Sequence, residues 1–243
     1  MAGHSKFANI KHRKGAQDKK RGKVFTKLIK EIMVGVKEGG PDPDANPRLR
    51  LAIQNAKGAN MPKDNVDRAI KKASGEGGQN YIENTYEGYG VDGIAFFIEC
   101  ATDNNTRTVA NIRSYFNKHG GNLGKDGCLE FIFNRKGVFI LNSSGLDEDD
   151  FTMDMIDAGA EDVEFDEEFV NIICEVEDFG NISKKLAELQ VEPIEAGLQR
   201  IPITFKQLTS DTMPAFTKLL DVIEDDDDVQ KVYHNVENLE DME

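Results

Sequence analysis

The sequence predicts an α+β fold: an N-terminal three-helix domain followed by two ferredoxin-like α/β sandwich domains, one inserted in the other. Three observations carry this prediction. Residues 23–73 place apolar side chains at helical spacing. From Tyr86 the period changes, and short apolar runs of strand type alternate with amphipathic helices. Two series of such elements follow, and only the second is complete by itself.

Residues 1–22 hold almost no core-forming side chains beyond Phe7 and Ile10. They are rich in Lys, Arg, Gly, Asn and Gln, a composition expected to form a flexible arm because it cannot offset the entropy of ordering. A helix is expected from near Lys23. Val24, Phe25, Leu28, Ile29, Ile32, Met33 and Val36 make one face, and Lys23, Lys27 and Lys30 the other. Gly39-Gly40-Pro41 stops it. Asn46 before Pro47 is a helix N-cap followed by proline at the first helical position, and Leu49, Ala52, Ile53 and Ala56 face inward from that helix. A third helix runs over 62–73 on Val66, Ala69 and Ile70, and residues 75–78 are a glycine-rich linker.

Beyond Tyr86 the reading is a strand over 93–101, a helix over 105–119, a turn at Gly120-Gly121-Asn122 and a strand over 128–134. The second series is a strand over 137–142, a helix over 147–158, strands over 162–166 and 168–176, a helix over 179–190 and a strand over 200–206. That is β-α-β-β-α-β, the ferredoxin-like order. A helix over 212–224 and a strand over 229–235 supply what the first series lacks. The expected domains are therefore 1–78, a discontinuous unit of 79–135 and 207–243, and an inserted unit of 136–206.

The net charge of −14 conceals a polarised chain. Residues 1–72 hold 18 Lys and Arg against 7 Asp and Glu, a balance of +11, and the remainder holds 12 against 37, a balance of −25. Such asymmetry points to a polyanion-binding end and an acidic body that repels phosphate and so orients the basic end toward it. Cys100, Cys128 and Cys174 cannot all pair within one chain and read as reduced thiols of the cytoplasm. The basic N-terminus is followed by no apolar run, so no secretory signal is expected, and the longest apolar runs fall far short of the ~20 residues that span a bilayer.

The basic segment is the strongest functional feature. Lys6, Lys11, Arg13, Lys14, Lys19, Lys20, Arg21, Lys23, Lys27 and Lys30 face a single acid, Asp18, within residues 1–30. Each cation can neutralise a phosphate and release a counterion, and Phe7 and His12 can stack on bases. The bland alternative is a solvated tail or a targeting segment. A helix-turn-helix over 47–57 and 62–73 is a weaker candidate, because Asp64 and Asp67 stand where a recognition helix meets base edges. Enzyme signals are poor. The histidines share no ligand spacing with the cysteines, no P-loop or nucleophile elbow appears, and Gly88-Tyr89-Gly90 reads as a turn. The acids at 147–150 lack the glycine of a calcium loop and read as a helix start. The run Glu224-Asp225-Asp226-Asp227-Asp228 reads as a solvated connection, with a magnesium site the lesser alternative.

Several motifs together resemble the YebC family. They are Met1-Ala2-Gly3-His4-Ser5-Lys6, Lys11-His12-Arg13-Lys14, Lys20-Arg21-Gly22-Lys23, Asp42-Pro43-Asp44-Ala45-Asn46-Pro47, Tyr86-Glu87-Gly88-Tyr89-Gly90, Asn105-Thr106-Arg107-Thr108-Val109, Gly120-Gly121-Asn122-Leu123-Gly124 and Val232-Tyr233-His234-Asn235. The sequence departs from the family at Phe7, where Trp is usual, and at Val91-Asp92, where Pro-Gly is usual. The resemblance implies a three-domain, crescent-shaped protein that regulates gene expression. Bacterial members are labelled probable transcriptional regulators and are linked to ribosomes stalled on proline-rich sequences, and a mitochondrial relative activates translation. Two functions follow as expectations. The first is a non-enzymatic, ribosome-associated translation factor that binds ribosomal RNA phosphates through its arm. The second is a regulator of transcription that binds duplex DNA. Neither requires a cofactor, metal, membrane or small-molecule substrate.

Overall fold

The computed structural model describes residues 21–75 and 80–238. The chain opens with helix α1 (Arg21–Gly39), α2 (Pro47–Gly58) and α3 (Lys63–Ser74). Both α2 and α3 pack on α1. Their shared core contains Ile32, Met33 and Val36 from α1, Leu49, Ala52 and Ala56 from α2, and Val66, Ala69 and Ala73 from α3. Asn46 joins the first two helices. Its side chain accepts from the Leu49 amide at 3.1 Å as the N-cap of α2, and donates to the Gly35 and Gly40 carbonyls at 2.8 Å each. One buried side chain thus satisfies termini of two helices, which fixes the angle between them.

The first sheet has the strand order β3-β1-β2-β8, made of β1 (Ile82–Tyr89), β2 (Ala95–Thr102), β3 (Asn122–Leu123) and β8 (Val229–His234). Helices α4 (Asn105–Lys118) and α7 (Met213–Glu224) cover one face. There Phe96, Ile98, Ile112, Phe116, Phe216, Leu219 and Ile223 form the core. The second sheet has the order β5-β6-β4-β7, made of β4 (Phe133–Asn142), β5 (Ala160–Phe165), β6 (Phe169–Cys174) and β7 (Glu195–Pro202). Helices α5 (Glu148–Asp157) and α6 (Phe179–Glu188) cover it through Phe139, Leu141, Phe151, Met155, Ile172, Ile182 and Leu186. All strand pairs in both sheets are antiparallel.

The two sheets match position for position. In the second, β4-α5-β5-β6-α6-β7 is the ferredoxin-like order. In the first, β2, α4 and β3 take the places of β4, α5 and β5, and α7 and β8 those of α6 and β7. The slot of β6 is filled by β1, which precedes the rest in sequence. After β3 the chain enters the second sheet instead of building a third strand, and returns through α7. This is one α/β sandwich set inside another.

Four sequence expectations need correction. Gly88 and Tyr89, read as part of a turn, end strand β1 (Ile82–Tyr89), whose polar composition hid it. Gly88 is required inside that strand, because a Cβ there would sit 2.8 Å from both the Phe116 ring and the Asn122 carbonyl oxygen. Residues 128–132 are not a strand. They form successive turns after Gly127 (φ +80°) that plug Leu129 and Ile132 against the open face of the first sheet beside Phe97 and Tyr233. The strand expected over 137–142 starts at Phe133 and runs unbroken, and the strand expected over 200–206 is β7, ending at Pro202. Pro193 and Gly197 broke the apolar pattern that would have revealed it. Cys100, Cys128 and Cys174 are free thiols. Among the described residues no helix is long and apolar enough to cross a membrane.

Candidate nucleic-acid interface

Of the cations expected to bind nucleic acid, Lys6, Lys11, Arg13, Lys14, Lys19 and Lys20 lie outside the described residues, as do Phe7 and His12. Arg21 opens α1. The other three are on α1, and the structure gives them intramolecular surroundings rather than an open face. Lys23 pairs with Asp225 at 2.8 Å, half-exposed. Lys27 has its pKa lowered by burial, which the nearby Glu224 opposes. Lys30 is only 7% exposed. Its Nζ donates to the Asp227 carbonyl at 2.6 Å, to Asp228 Oδ1 at 3.1 Å and to the Ala101 carbonyl at 3.2 Å, and lies 5.0 Å from the Tyr81 ring centroid. The periodicity of α1 shows one apolar face, but the helix is sandwiched: one side meets α2 and α3, the other the acidic end of α7.

The acidic run corrects the sequence reading in part: Asp225 and Asp227 are exposed as expected of a solvated connection, but Asp226 is half-buried and Asp228 buried. Asp228 accepts from Arg107 at 2.7 Å, Thr108 Oγ1 at 2.9 Å, Thr102 Oγ1 at 3.1 Å and Lys30. Burial alone would raise its pKa, but the hydrogen bonds from Arg107, Thr108 and Lys30 outweigh that and hold the carboxyl below its ordinary value. Asp226 accepts from Tyr115 Oη at 2.9 Å and Asn111 Nδ2 at 3.3 Å. Burial and that carboxylate push the Tyr115 hydroxyl up to about 12. No group of acids, His or Cys among the described residues is arranged to hold a metal ion. The run therefore clasps α1, α4 and β8 together.

Glu87 plays a similar part on the opposite edge of the sheet. Buried at the centre of Tyr86-Glu87-Gly88-Tyr89-Gly90, its carboxylate accepts from the Gly127 amide at 2.9 Å and the Leu129 amide at 2.6 Å. It thereby anchors the loop after β3.

The helical part also docks on the inserted sheet. Asn55 of α2 donates to the Ala196 carbonyl at 2.8 Å and accepts from the Ala196 amide at 2.9 Å, so one side-chain amide acts as a further strand residue on the edge of β7. Gly58 is needed alongside, since a Cβ there would lie 1.9 Å from the Ile194 oxygen. Between the two sheets, the Arg200 guanidinium lies 4.2 Å from the Phe97 ring centroid and 3.8 Å from Glu99 Oε1. These contacts enclose an open cleft of about 2100 Å³, lined by Arg50, Arg135, Lys231, Glu31, Glu99 and Glu195 among others. It is larger than a small-molecule pocket and carries both signs of charge.

The helix-turn-helix candidate gains nothing here. On α3, Asp64 and Asp67 are exposed, and Arg68 is turned back on its own helix, donating to the Asp64 carbonyl at 3.0 Å and Asn65 Oδ1 at 2.6 Å. Sequence reasoning missed Asp228, Thr102, Arg107, Thr108 and Glu87. Glu87, Arg107 and Thr108 fall in the family-type motifs and Asp228 in the acidic run, while no signal marked Thr102.

Fold and site together define a three-part α+β protein with a cationic N-terminal segment and an acidic, internally clasped body. The chain belongs to the TACO1/YebC family: residues 5–76 match the TACO1/YebC protein N-terminal domain, and residues 81–236 the TACO1/YebC second and third domain. A "probable transcriptional regulatory protein" of Amoebophilus asiaticus (strain 5a2) is 53% identical over 241 residues, covering 98% of this chain and 99% of that one. The probable transcriptional regulatory protein YrbC of Bacillus subtilis (strain 168) is 48% identical over 238 residues, covering 97% and 99%. The crystal structure of the conserved hypothetical protein Aq1575 from Aquifex aeolicus superposes with a TM-score of 0.80 at 42% identity, covering 89% of this chain and 90% of that one.

Proposed function

We infer that this protein is a non-enzymatic, cytoplasmic regulator of gene expression that acts at the ribosome, binding ribosomal RNA phosphates through its cationic N-terminal segment. The observation that carries the reading is the polarity of charge: ten cations and one acid in residues 1–30, set on a body that repels phosphate. Because Lys23 is paired with Asp225 and Lys30 is buried against Asp228, Lys6, Lys11, Arg13, Lys14, Lys19, Lys20 and Arg21 are the working set, with Phe7 and His12 available to stack. Irregular RNA is read by shape, phosphates and stacking, which suits such a segment. The resemblance to the YebC family extends the proposal to ribosomes stalled on proline-rich sequences.

A second reading, regulation of transcription through duplex DNA, is favoured by the names that the relatives carry. Against it stand the carboxylates of α3, where Arg68 is turned back on its own helix.

The test is sedimentation with ribosomes from a lysate, with and without nuclease. Changing Lys11, Arg13, Lys14, Lys19, Lys20 and Arg21 together to Glu abolishes pelleting while circular dichroism stays that of the wild type. Reversing Lys184, Lys185 and Lys206 changes little. An arm variant that pellets like the wild type refutes the assignment. Tight duplex binding that survives single-base competition at physiological salt favours the second reading.

A further inference from the structure

We propose that the end of α4 and the glycine-rich loop after it form a second RNA-backbone contact, with Arg113, Lys118 and Lys125 as its phosphate ligands; this rests on the reading that the arm binds RNA.

The starting observation is an island of charge. Residues 73–243 hold 12 cations against 37 acids, yet between Asp103 and Asp126 there are four cations and no acid. One of the four, Arg107, is already bound to Asp103 and Asp228. The other three are exposed, and among the described residues none has an ion-pair or side-chain hydrogen-bond partner. Several cations elsewhere in the body are paired: Lys136 lies on Glu161 and Glu175, Lys185 on Asp154, and Arg200 beside Glu99; Arg135 and Lys218 are exposed but do not stand in so long an acid-free run. Lys118, in the last turn of α4, also complements the helix dipole. Arg113 and Lys125 have no such structural use.

The scaffold holds these side chains firmly. Ile112 and Phe116 bury the inner face of α4 completely, so Arg113 stands off it toward solvent. The chain then turns at Gly120, whose φ of +75° and lack of any atom within 4 Å of a would-be Cβ leave open surface above it. The Gly121 amide closes the turn on the Phe116 carbonyl at 2.8 Å. Strand β3 follows at the edge of the sheet, bonded only to β1, with the exposed Asn122 adding a neutral side-chain donor. Past β3, the Gly124 amide donates to the Glu87 carbonyl at 2.7 Å, and the Glu87 carboxylate takes the amides of Gly127 and Leu129. Lys125 is therefore carried on backbone pinned on both sides. Three separated, exposed single charges suit a chain of repeating single negative charges, not a compact anion. Preorganisation lowers the ordering cost that a flexible segment bears on binding.

The experiment is fluorescence anisotropy of the full-length protein with a labelled single-stranded RNA, an RNA hairpin and a DNA duplex over a KCl series. It compares the wild type, an arm variant with Lys11, Arg13, Lys14, Lys19, Lys20 and Arg21 all changed to Ala, and a triple variant carrying Arg113→Ala, Lys118→Ala and Lys125→Ala. Three lost phosphate contacts flatten the log–log salt dependence by about 2 for single-stranded RNA and weaken binding about 50-fold at about 0.15 M salt. The triple variant keeps the wild-type melting temperature, since all three sites are exposed. If the arm variant binds like the wild type while the triple variant is weakened, the arm reading fails and the α4 surface stands. The α4 proposal is overturned if the triple variant keeps wild-type affinity and slope for RNA, if it loses duplex DNA alone, or if the wild type binds no RNA at the lowest salt.

Discussion

Asp228→Ala tests the joint on which α1 rests. The substitution removes the one carboxylate that, among the described residues, pairs with the Lys30 ammonium, and Lys30 is only 7% exposed. Removing one partner of a buried ion pair costs about 3–5 kcal/mol, because the other charge stays buried. The threonines add little. Thr108 keeps the Asn104 carbonyl at 3.1 Å and Thr102 at 2.8 Å, and Arg107 keeps Asp103. For a chain of this size the loss corresponds to a fall in melting temperature of about 6–20 °C, read by calorimetry. The exposed pair gives the contrast: Lys23→Met costs at most about 1 kcal/mol. The double variant Lys30→Met with Asp228→Ala loses less than the two single losses added, since each single variant strands a charge that the double one lacks. The pH dependence has a definite sign. The folded carboxyl titrates below its ordinary value, so the unfolded chain takes up the proton first as pH falls. The stabilisation is complete above about pH 4 and is lost as pH drops through the folded value; in Asp228→Ala this component is gone. An Asp228→Ala protein within about 1 kcal/mol of the wild type would refute the view that Lys30 depends on this carboxylate.

Other outcomes follow from features of the fold. Asn55→Ala leaves both backbone groups of Ala196 without their partner and lowers stability by about 2–4 kcal/mol, measured by urea unfolding. Asp92, at φ +54° in the turn between β1 and β2, occupies a conformation that glycine adopts at less cost, so Asp92→Gly raises stability by about 0.5–1 kcal/mol, visible as a higher urea midpoint. We propose residues 136–206 as an autonomous inserted unit; a fragment of 133–206, which completes β4, gives dispersed amide resonances by NMR, and a collapsed spectrum would count against autonomy.

What could be read in the sequence was what is local. The Asn46-Pro47 cap, the apolar face of α1 and the β-α-β-β-α-β order all depend on neighbours a few residues away; the cap and the face appear where expected, and the order holds although its first and last strands begin earlier than read. Strand β1 escaped notice because its side chains are Glu, Asn and Thr, and because Gly88 answers to Phe116, a residue on another element. The apolar alternation of 128–133 had two solutions, and the plug won because Gly127 turns the chain onto an open sheet face that only the fold reveals. Asp226 and Asp228 looked like solvated charge since composition carries no sign of their partners, some of which lie more than a hundred residues off. Lys30 was assigned to a phosphate-facing surface for the same reason: helical spacing marks a polar side but not what covers it.

The interleaving of the two sandwiches has a consequence for how the chain is made. All four strands of the second sheet come from residues 133–202, so they can close as soon as that stretch emerges. The first sheet cannot. Strand β2 is synthesised early and then waits through the whole of the inner unit for α7 and β8, leaving one of its edges open and the Phe96 face covered by α4 alone. Domains form in order of synthesis, yet here the outer unit, begun first, is finished last. Asp228, immediately before β8, then reaches back to Lys30 in the first helix. The last strand to leave the ribosome is thus coupled to the seating of the first helix, and a chain terminated before Asp228 would hold a complete inner sandwich and an unsecured α1.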